Sequence, residues 1–162
     1  MNRFIINSIS SLRILFGFLF IYFAVFDFDI ACLVIIFALT CVSDVSDGWL
    51  SRKYGLSSDN GAKFDVTCDF IFIMLSTFAM VWMNLIPPWF MLIIVLKLIE
   101  FFTTSGEWLV YENFGHLVAL MFYAFPIFAV FINNRFIILI LAVFITVCAI
   151  ISSLTRIHQK FY

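Results

Sequence analysis

The sequence predicts an all-α integral membrane protein, a bundle of six transmembrane helices preceded by a short N-terminal interfacial helix. The 162-residue chain is 65% hydrophobic and only 12% charged, which is more apolar surface than a water-soluble domain of this size can bury. Its apolar residues also fall into six segments close to the length that crosses a bilayer, about 20 mainly apolar residues. The predicted spans cover residues 11–26, 30–50, 62–83, 87–104, 117–132 and 136–154.

Polar or helix-breaking residues separate the six apolar segments. Because these connections are short, we expect the helices to pack as a single domain over residues 1–162, with almost no mass outside the membrane. The breaks are Asp27 with Asp29, residues 55–61, Asn84 with Pro87 and Pro88, residues 105–115, and Asn133 with Asn134.

The first ten residues precede the first predicted span and are too few to cross a membrane. Their apolar members Phe4, Ile5, Ile6 and Ile9 alternate with polar residues, as in a helix that lies in the membrane interface. The same residues could equally form the start of the first transmembrane helix, and both interpretations stay open.

Basic residues predict the orientation, because cytoplasmic loops carry an excess of Lys and Arg. With the N-terminus inside, the opposite side holds only Arg135, and Lys97 lies within a span. Both termini and the loop after the second span are therefore predicted to face the cytoplasm. The basic residues on that side are Arg3, Arg13, Arg52, Lys53, Lys63, Arg156 and Lys160.

The overall charge and the cysteines exclude two classes of function. A net charge of −1 provides no broad basic surface, so nucleic acid is not an expected partner. The four cysteines lack the spacing of a zinc site and lie mostly in apolar segments, which favours free buried thiols. The charged side chains near the membrane are therefore the candidates for function.

Four aspartates lie where charged side chains are costly, since an ionised group at membrane depth costs about 3 kcal/mol or more. Asp44 and Asp47 are three residues apart at the end of the second span, and Asp65 and Asp69 are four apart at the start of the third. Each pair shares one helical face. Because a short loop joins the two spans, we expect them to be antiparallel neighbours whose acidic faces converge.

Converging carboxylates cannot all ionise without a cation, and the basic residues next to them in sequence, Arg52, Lys53 and Lys63, are too few to neutralise them. Oxygen ligands select hard divalent ions such as Mg²⁺ or Mn²⁺. Gly48 and Gly61 let a phosphorylated ligand approach the backbone, and Arg52 offers a forked phosphate donor. This combination is typical of phosphoryl transfer. The alternative is a divalent-cation or proton transporter, which also uses intramembrane acids.

The acidic segment resembles the signature of the CDP-alcohol phosphotransferase family, D-x₂-D-G-x₂-A-R-x₈-G-x₃-D-x₃-D. Ser51 stands where the signature has Ala, a change that keeps the residue small. Asn7, Ser10 and Arg13 also resemble the N-x-x-[ST]-x-x-R opening of phosphatidylglycerophosphate synthases. The residues that match the signature are Asp44, Asp47, Gly48, Arg52, Gly61, Asp65 and Asp69.

The resemblance implies an enzyme that transfers a substituted phosphoryl group from a CDP-alcohol to a second alcohol and releases CMP. Two divalent ions, Mg²⁺ or Mn²⁺, would hold the donor pyrophosphate, and Asp69 would also act as general base. It further implies an active site on the cytoplasmic face of a bacterial or archaeal membrane, and a homodimer. The implied metal ligands are Asp44, Asp47, Asp65 and Asp69, and the implied CDP contacts are Asp44, Gly48, Ser51, Arg52, Ser58 and Gly61.

The residues after the last signature aspartate bear on the choice of substrates. We expect CDP-diacylglycerol as donor and a small polar alcohol as acceptor, and the alternative is CDP-choline or CDP-ethanolamine with diacylglycerol as acceptor. Relatives whose acceptor carries a phosphate typically have Lys or Arg after the last signature aspartate, where this chain has Phe70. Glu100, Glu107 and Glu112 make the acceptor-side stretch acidic, which favours an alcohol such as serine, although Lys97 one turn before Glu100 can neutralise it. The acceptor-side candidates are Asn7, Arg13, Lys63, Lys97 and Glu100.

Overall fold

The computed structural model describes residues 3–55, 58–104, 113–132 and 134–161, and Glu107 and Glu112 lie outside them. Over the described residues all regular structure is helical, so the all-α prediction is confirmed. The helices are α1 Arg3–Val25, α2 Ile30–Lys53, α3 Asp59–Trp82, α4 Trp89–Thr104, α5 Asn113–Ile132 and α6 Arg135–Phe161.

Five of the six helices in the described part of the chain are long and apolar enough to cross a membrane. The exception is α4, whose 16 residues rise about 24 Å, less than the roughly 30 Å of the hydrocarbon core. Large apolar side chains such as Phe26, Phe136 and Val45 lie exposed on the outside of the helices, where lipid is their natural solvent. The chain is therefore an integral membrane protein, and a sixth crossing stays a prediction.

The beginning of the chain does not form a separate helix. α1 runs without interruption from Arg3 to Val25, so the predicted interfacial helix is not confirmed. The first glycine or proline in the sequence is Gly17, and nothing before it would end a helix. The structure agrees with the alternative interpretation, in which these residues begin the helix of the first span.

Side chains in the connections fix where the helices start and stop. Asp29 caps α2, because its Oδ1 accepts the N–H groups of Ala31 at 2.8 Å and Cys32 at 3.4 Å. The Cys32 thiol also donates to this carboxylate, and together these donors lower the pKa of Asp29 below its usual value. Asn84 closes α3 in a left-handed conformation with φ of 58°. Both ends coincide with predicted breaks.

The helices form two compact units, Met1–Ala79 and Met80–Tyr162. In the first unit α1 packs along α2 and also meets α3 closely, since a Cβ on Gly17 would lie 2.6 Å from Leu75 Cδ1. The rings of Phe20 and Phe72 meet edge-on at 6.2 Å between centroids. Because α1 contacts both neighbours, side chains on its inner face can reach α2 and α3 at once.

In the second unit α6 packs against both α4 and α5. The fully buried Phe90 of α4 contacts α5 through Phe122, at 5.6 Å between ring centroids, and Phe125, at 4.8 Å. Such aromatic pairs add about 0.5–1.5 kcal/mol each beyond the area that they bury.

Candidate functional site

The acidic faces of α2 and α3 converge in the first unit. One carboxylate oxygen from each of Asp44, Asp47 and Asp65 lies within 4.8 Å of the other two. Asp69 is outside that group of three, but the same cationic side chain contacts all four carboxylates. We call these four residues the aspartate cluster.

The cation within the aspartate cluster comes from α1. Arg13 Nη1 lies 3.2 Å from Asp44 Oδ1 and also pairs with Asp69 Oδ1. Arg13 Nη2 pairs with Asp47 Oδ2 and with Asp65 Oδ1. The side chain of Arg13 is fully buried. Arg52, Lys53 and Lys63 are the basic residues next to the aspartates in sequence, but the cation that contacts them is Arg13, because α1 packs against both acidic helices.

Serine hydroxyls further connect α1 to the aspartate cluster. Ser10, one turn before Arg13, donates from Oγ to Asp47 Oδ2 at 2.7 Å. Ser43 on α2 donates from Oγ to the carbonyl oxygen of Ile9 at 2.9 Å. Asn7, by contrast, is exposed on α1. Ser10 was not among the predicted site residues, and Arg13 was predicted on the acceptor side, although their three-residue spacing places both on one helical face.

The aspartate cluster is closed at one end and open at the other. Asp47 is 2% exposed, while Asp69, Asp65 and Asp44 are 26%, 33% and 47% exposed. Asp47 and Arg13 therefore form the buried floor. A ligand would reach the carboxylates from the side of Asp44 and Asp65.

The donor set fits a hard divalent cation, since it offers carboxylate oxygens alone. Asp47 Oδ1 is buried and makes no hydrogen bond within the described part of the chain. Four ionised carboxylates facing one guanidinium also leave three negative charges in excess. Carboxylates this close together require further cations, or protons, to coexist.

The predicted nucleotide contacts lie at the ends of α2 and α3 that border the aspartate cluster. Gly48 and Ser51 are on α2, and Arg52 folds back so that its Nη1 lies 3.5 Å from the place of a Cβ on Gly48. Ser58 directly precedes α3, and its Oγ accepts the N–H of Gly61 at 3.2 Å, which is the hydrogen bond that an N-cap residue makes. Their role in binding CDP stays a prediction.

The remaining acceptor-side candidates lie in different units. Lys63 is on α3 in the first unit, two residues before Asp65. Lys97 and Glu100 are on α4 in the second unit, where Lys97 Nζ lies 2.7 Å from Glu100 Oε2, so their expected pairing is confirmed. Lys97 Nζ also donates to Ser152 Oγ at 3.1 Å and Ser153 Oγ at 3.0 Å, which joins α4 to α6.

Comparison with known protein families identifies the class of this site. The model of the family described as CDP-alcohol phosphatidyltransferase matches residues 3–152, which include both the aspartate cluster and Arg13. The chain belongs to the CDP-alcohol phosphatidyltransferase family. No curated protein matches the chain at a significant level in a direct comparison of sequences.

The family fixes the general chemistry of the chain. CDP-alcohol phosphatidyltransferases are transferases of substituted phosphate groups, and they use a CDP-alcohol donor and an alcohol acceptor in phospholipid synthesis. They generally depend on divalent metal ions, which agrees with the oxygen donors of Asp44, Asp47 and Asp65. Membrane lipids are expected surroundings for the five apolar helices of this phosphatidyltransferase.

Proposed function

We propose that this phosphatidyltransferase moves the phosphatidyl group of CDP-diacylglycerol to the hydroxyl of a small alcohol and releases CMP. The observation that carries the proposal is the convergence of Asp44, Asp47 and Asp65 at the ends of α2 and α3. These ends also carry the small and basic residues that suit a nucleotide, Gly48 and Arg52 among them.

Two divalent ions, Mg²⁺ or Mn²⁺, are the proposed cofactors, held by Asp44, Asp47, Asp65 and Asp69. When bound, they would neutralise the donor pyrophosphate and stabilise CMP as leaving group. The excess of negative charge in the aspartate cluster and the unpartnered Asp47 Oδ1 support this assignment.

Asp69 is the proposed general base. It is partly exposed and engages Arg13 through Oδ1, so the carboxylate is both oriented and open on one side. A base within about 3 Å of the acceptor hydroxyl can take its proton. The acceptor oxygen then bonds to the phosphorus that carries diacylglycerol, the bond from that phosphorus to CMP breaks, and Asp69 holds the proton.

The CDP part of the donor is proposed to bind at Asp44, Gly48, Ser51, Arg52, Ser58 and Gly61. Arg52 is exposed and forms no ion pair with the residues that the structure describes, so its guanidinium can bind a phosphate. Ser58 Oγ already accepts the Gly61 N–H, and its hydroxyl hydrogen is the group that could reach a ligand.

The acceptor and the cellular setting complete the proposal. We propose an unphosphorylated or amine-bearing acceptor such as serine, because Phe70 stands where relatives with phosphorylated acceptors typically have Lys or Arg. We further propose six crossings, a site and both termini on the cytoplasmic side of a bacterial or archaeal membrane, and a homodimer. The basic residues Arg52, Lys53 and Lys63 beside the aspartate cluster support that orientation.

Release of CMP from the purified protein in detergent tests the function. CDP-diacylglycerol should yield CMP with serine as acceptor, with glycerol 3-phosphate and inositol phosphate assayed beside it, and a chelator should abolish the release. Release only from CDP-choline with diacylglycerol would reverse the assignment of the lipid substrate. The transporter would instead be favoured by three results together: no CMP release in any combination, no metal-dependent binding of CMP, and ion flux in proteoliposomes.

A further inference from the structure

We propose that Arg13 is a built-in counter-ion of the metal site. Its guanidinium holds the aspartate cluster together in the absence of metal and yields carboxylate oxygens to the divalent ions as they bind. The inference rests on the proposed function in one respect, that these aspartates are metal ligands.

The two terminal nitrogens of Arg13 each bridge the acidic helices. Nη1 contacts Asp44 on α2 and Asp69 on α3, and Nη2 contacts Asp47 on α2 and Asp65 on α3. Without this bridge, the facing carboxylates would repel one another across a site of low dielectric. The guanidinium therefore lies among the oxygens that a metal ion would need, and the two kinds of cation compete for them.

The charges show why the arginine can assemble the site without completing it. One guanidinium leaves three of the four carboxylate charges in excess, whereas two divalent ions bring four positive charges. Metal ions therefore gain more Coulomb energy from the same oxygens than Arg13 does. Arginine remains charged at every accessible pH, so it cannot leave the cluster by losing its proton and yields only to another cation.

Arg13 is attached to its neighbours through its terminal nitrogens. Its Nε is buried and makes no hydrogen bond within the described residues, so the side chain is held through its terminal nitrogens alone. Ser10 Oγ donates to Asp47 Oδ2 at 2.7 Å and keeps this deepest carboxylate oriented when a guanidinium nitrogen withdraws. With divalent ions on the carboxylates, the guanidinium of Arg13 would be available to bind a phosphate.

Binding of Mn²⁺ to Arg13→Gln, in detergent and without nucleotide or lipid substrate, tests the inference. We expect Mn²⁺ to bind about tenfold more tightly than to the wild type, because its competitor is gone. In a chelator the variant should unfold at a lower temperature than the wild type, and Mn²⁺ should raise its Tm by more. Arg135→Gln is the matched control, since Arg135 is exposed at the first residue of α6, and it should change neither quantity.

Unchanged or weaker Mn²⁺ binding by Arg13→Gln would overturn the inference. If this variant does not fold, Arg13→Lys tests the inference in its place, because a lysine keeps the charge but cannot bridge four carboxylates. It should tighten Mn²⁺ binding about threefold, and equal or weaker binding would again overturn the inference. A wild-type protein that binds no Mn²⁺ would overturn the metal assignment itself. CMP release that fails with every acceptor, while Arg13→Gln tightens Mn²⁺ binding, would count against the proposed substrates alone.

Discussion

Each unit of the chain buries charged side chains among apolar helices, but only one of the two clusters is balanced. In the second unit, Lys97 faces the single carboxylate of Glu100 at 2.7 Å, and two serine hydroxyls take its other hydrogens. In the first unit, Arg13 faces four carboxylates. A pair whose charges balance is typical of a structural contact, whereas an excess of charge indicates a site that binds a ligand.

Two of the acceptor-side candidates, Lys97 and Glu100, form the balanced pair of the second unit. The three N–H groups of the Lys97 ammonium are already directed at Glu100, Ser152 and Ser153. Ser153 Oγ also donates to Glu100 Oε2 at 2.7 Å. An acceptor would have to displace these contacts, so we expect Lys97 and Glu100 to hold α4 against α6.

The largest effect is expected from Asp69→Asn. An amide cannot take the proton of the acceptor hydroxyl, so kcat for CMP release should fall by about 10²–10⁴-fold. CMP binding in the presence of Mn²⁺ should remain within a few-fold of the wild type, since Asp44, Asp47 and Asp65 keep their carboxylates. Measuring both separates a base from a binding residue, and a fully active variant would show that another group takes the proton.

Metal binding should distinguish the two clusters directly. At Mn²⁺ about 100-fold above its Kd, the wild type should gain about 2.7 kcal/mol of stability over the protein in a chelator. Asp44→Asn should lose most of this gain at little cost to folding, because Asp44 is half exposed. Glu100→Gln should keep the whole gain, as measured by Tm with and without Mn²⁺. If Glu100→Gln lost the stabilisation by Mn²⁺, the metal would bind in the second unit, and the contrast between the balanced pair and the aspartate cluster would be wrong.

The convergence of the aspartates could be predicted from the sequence, whereas the identity of their counter-ion could not. Spacings of three and four residues place each acidic pair on one helical face, and a short connection makes α2 and α3 neighbours. Arg13 lies 34 residues before Asp47, and its contact depends on how α1 is rotated about its axis. A helix that is apolar on nearly every face does not specify that rotation.

The number and bounds of the spanning helices could be predicted only in part from the sequence. The apolar stretch predicted a span over residues 87–104, but α4 begins at Trp89. Pro87 and Pro88 lack backbone N–H groups, and each restricts the residue before it to an extended conformation. Hydropathy alone therefore does not locate the start of α4, which here follows two consecutive prolines.

A smaller effect, on stability, is expected at the balanced pair. Lys97→Met removes the cation that lies 2.7 Å from Glu100, whose side chain is 14% exposed, and should lower the free energy of unfolding by about 3 kcal/mol. Lys97→Met combined with Glu100→Met should regain most of that loss, because both members of this ion pair are then removed. Denaturation in mixed micelles measures both variants. If the double variant were stable but had a raised KM for the acceptor alcohol, the pair would belong to the acceptor site.

The smallest effect is expected at Asp29, an aspartate of the first unit that lies outside the aspartate cluster. Its pKa is lowered by the Cys32 thiol and by the backbone N–H groups at the start of α2. It therefore stabilises the fold above its unfolded pKa of about 3.9, and this contribution disappears as the pH falls through the lower folded pKa. Asp29→Asn keeps the cap without the charge, so its Tm should lie slightly below that of the wild type at neutral pH and equal it in acid.

The same variant is the control for the metal experiments, because Asp29 already has donors for its carboxylate and lies at the opposite end of α2 from Asp44. The gain in Tm with Mn²⁺ should be equal in Asp29→Asn and in the wild type at neutral pH. A reduced gain would mean that Mn²⁺ stabilises this unit through carboxylates in general. An equal gain, lost only in Asp44→Asn, would locate the effect in the one place where four carboxylates share a single arginine.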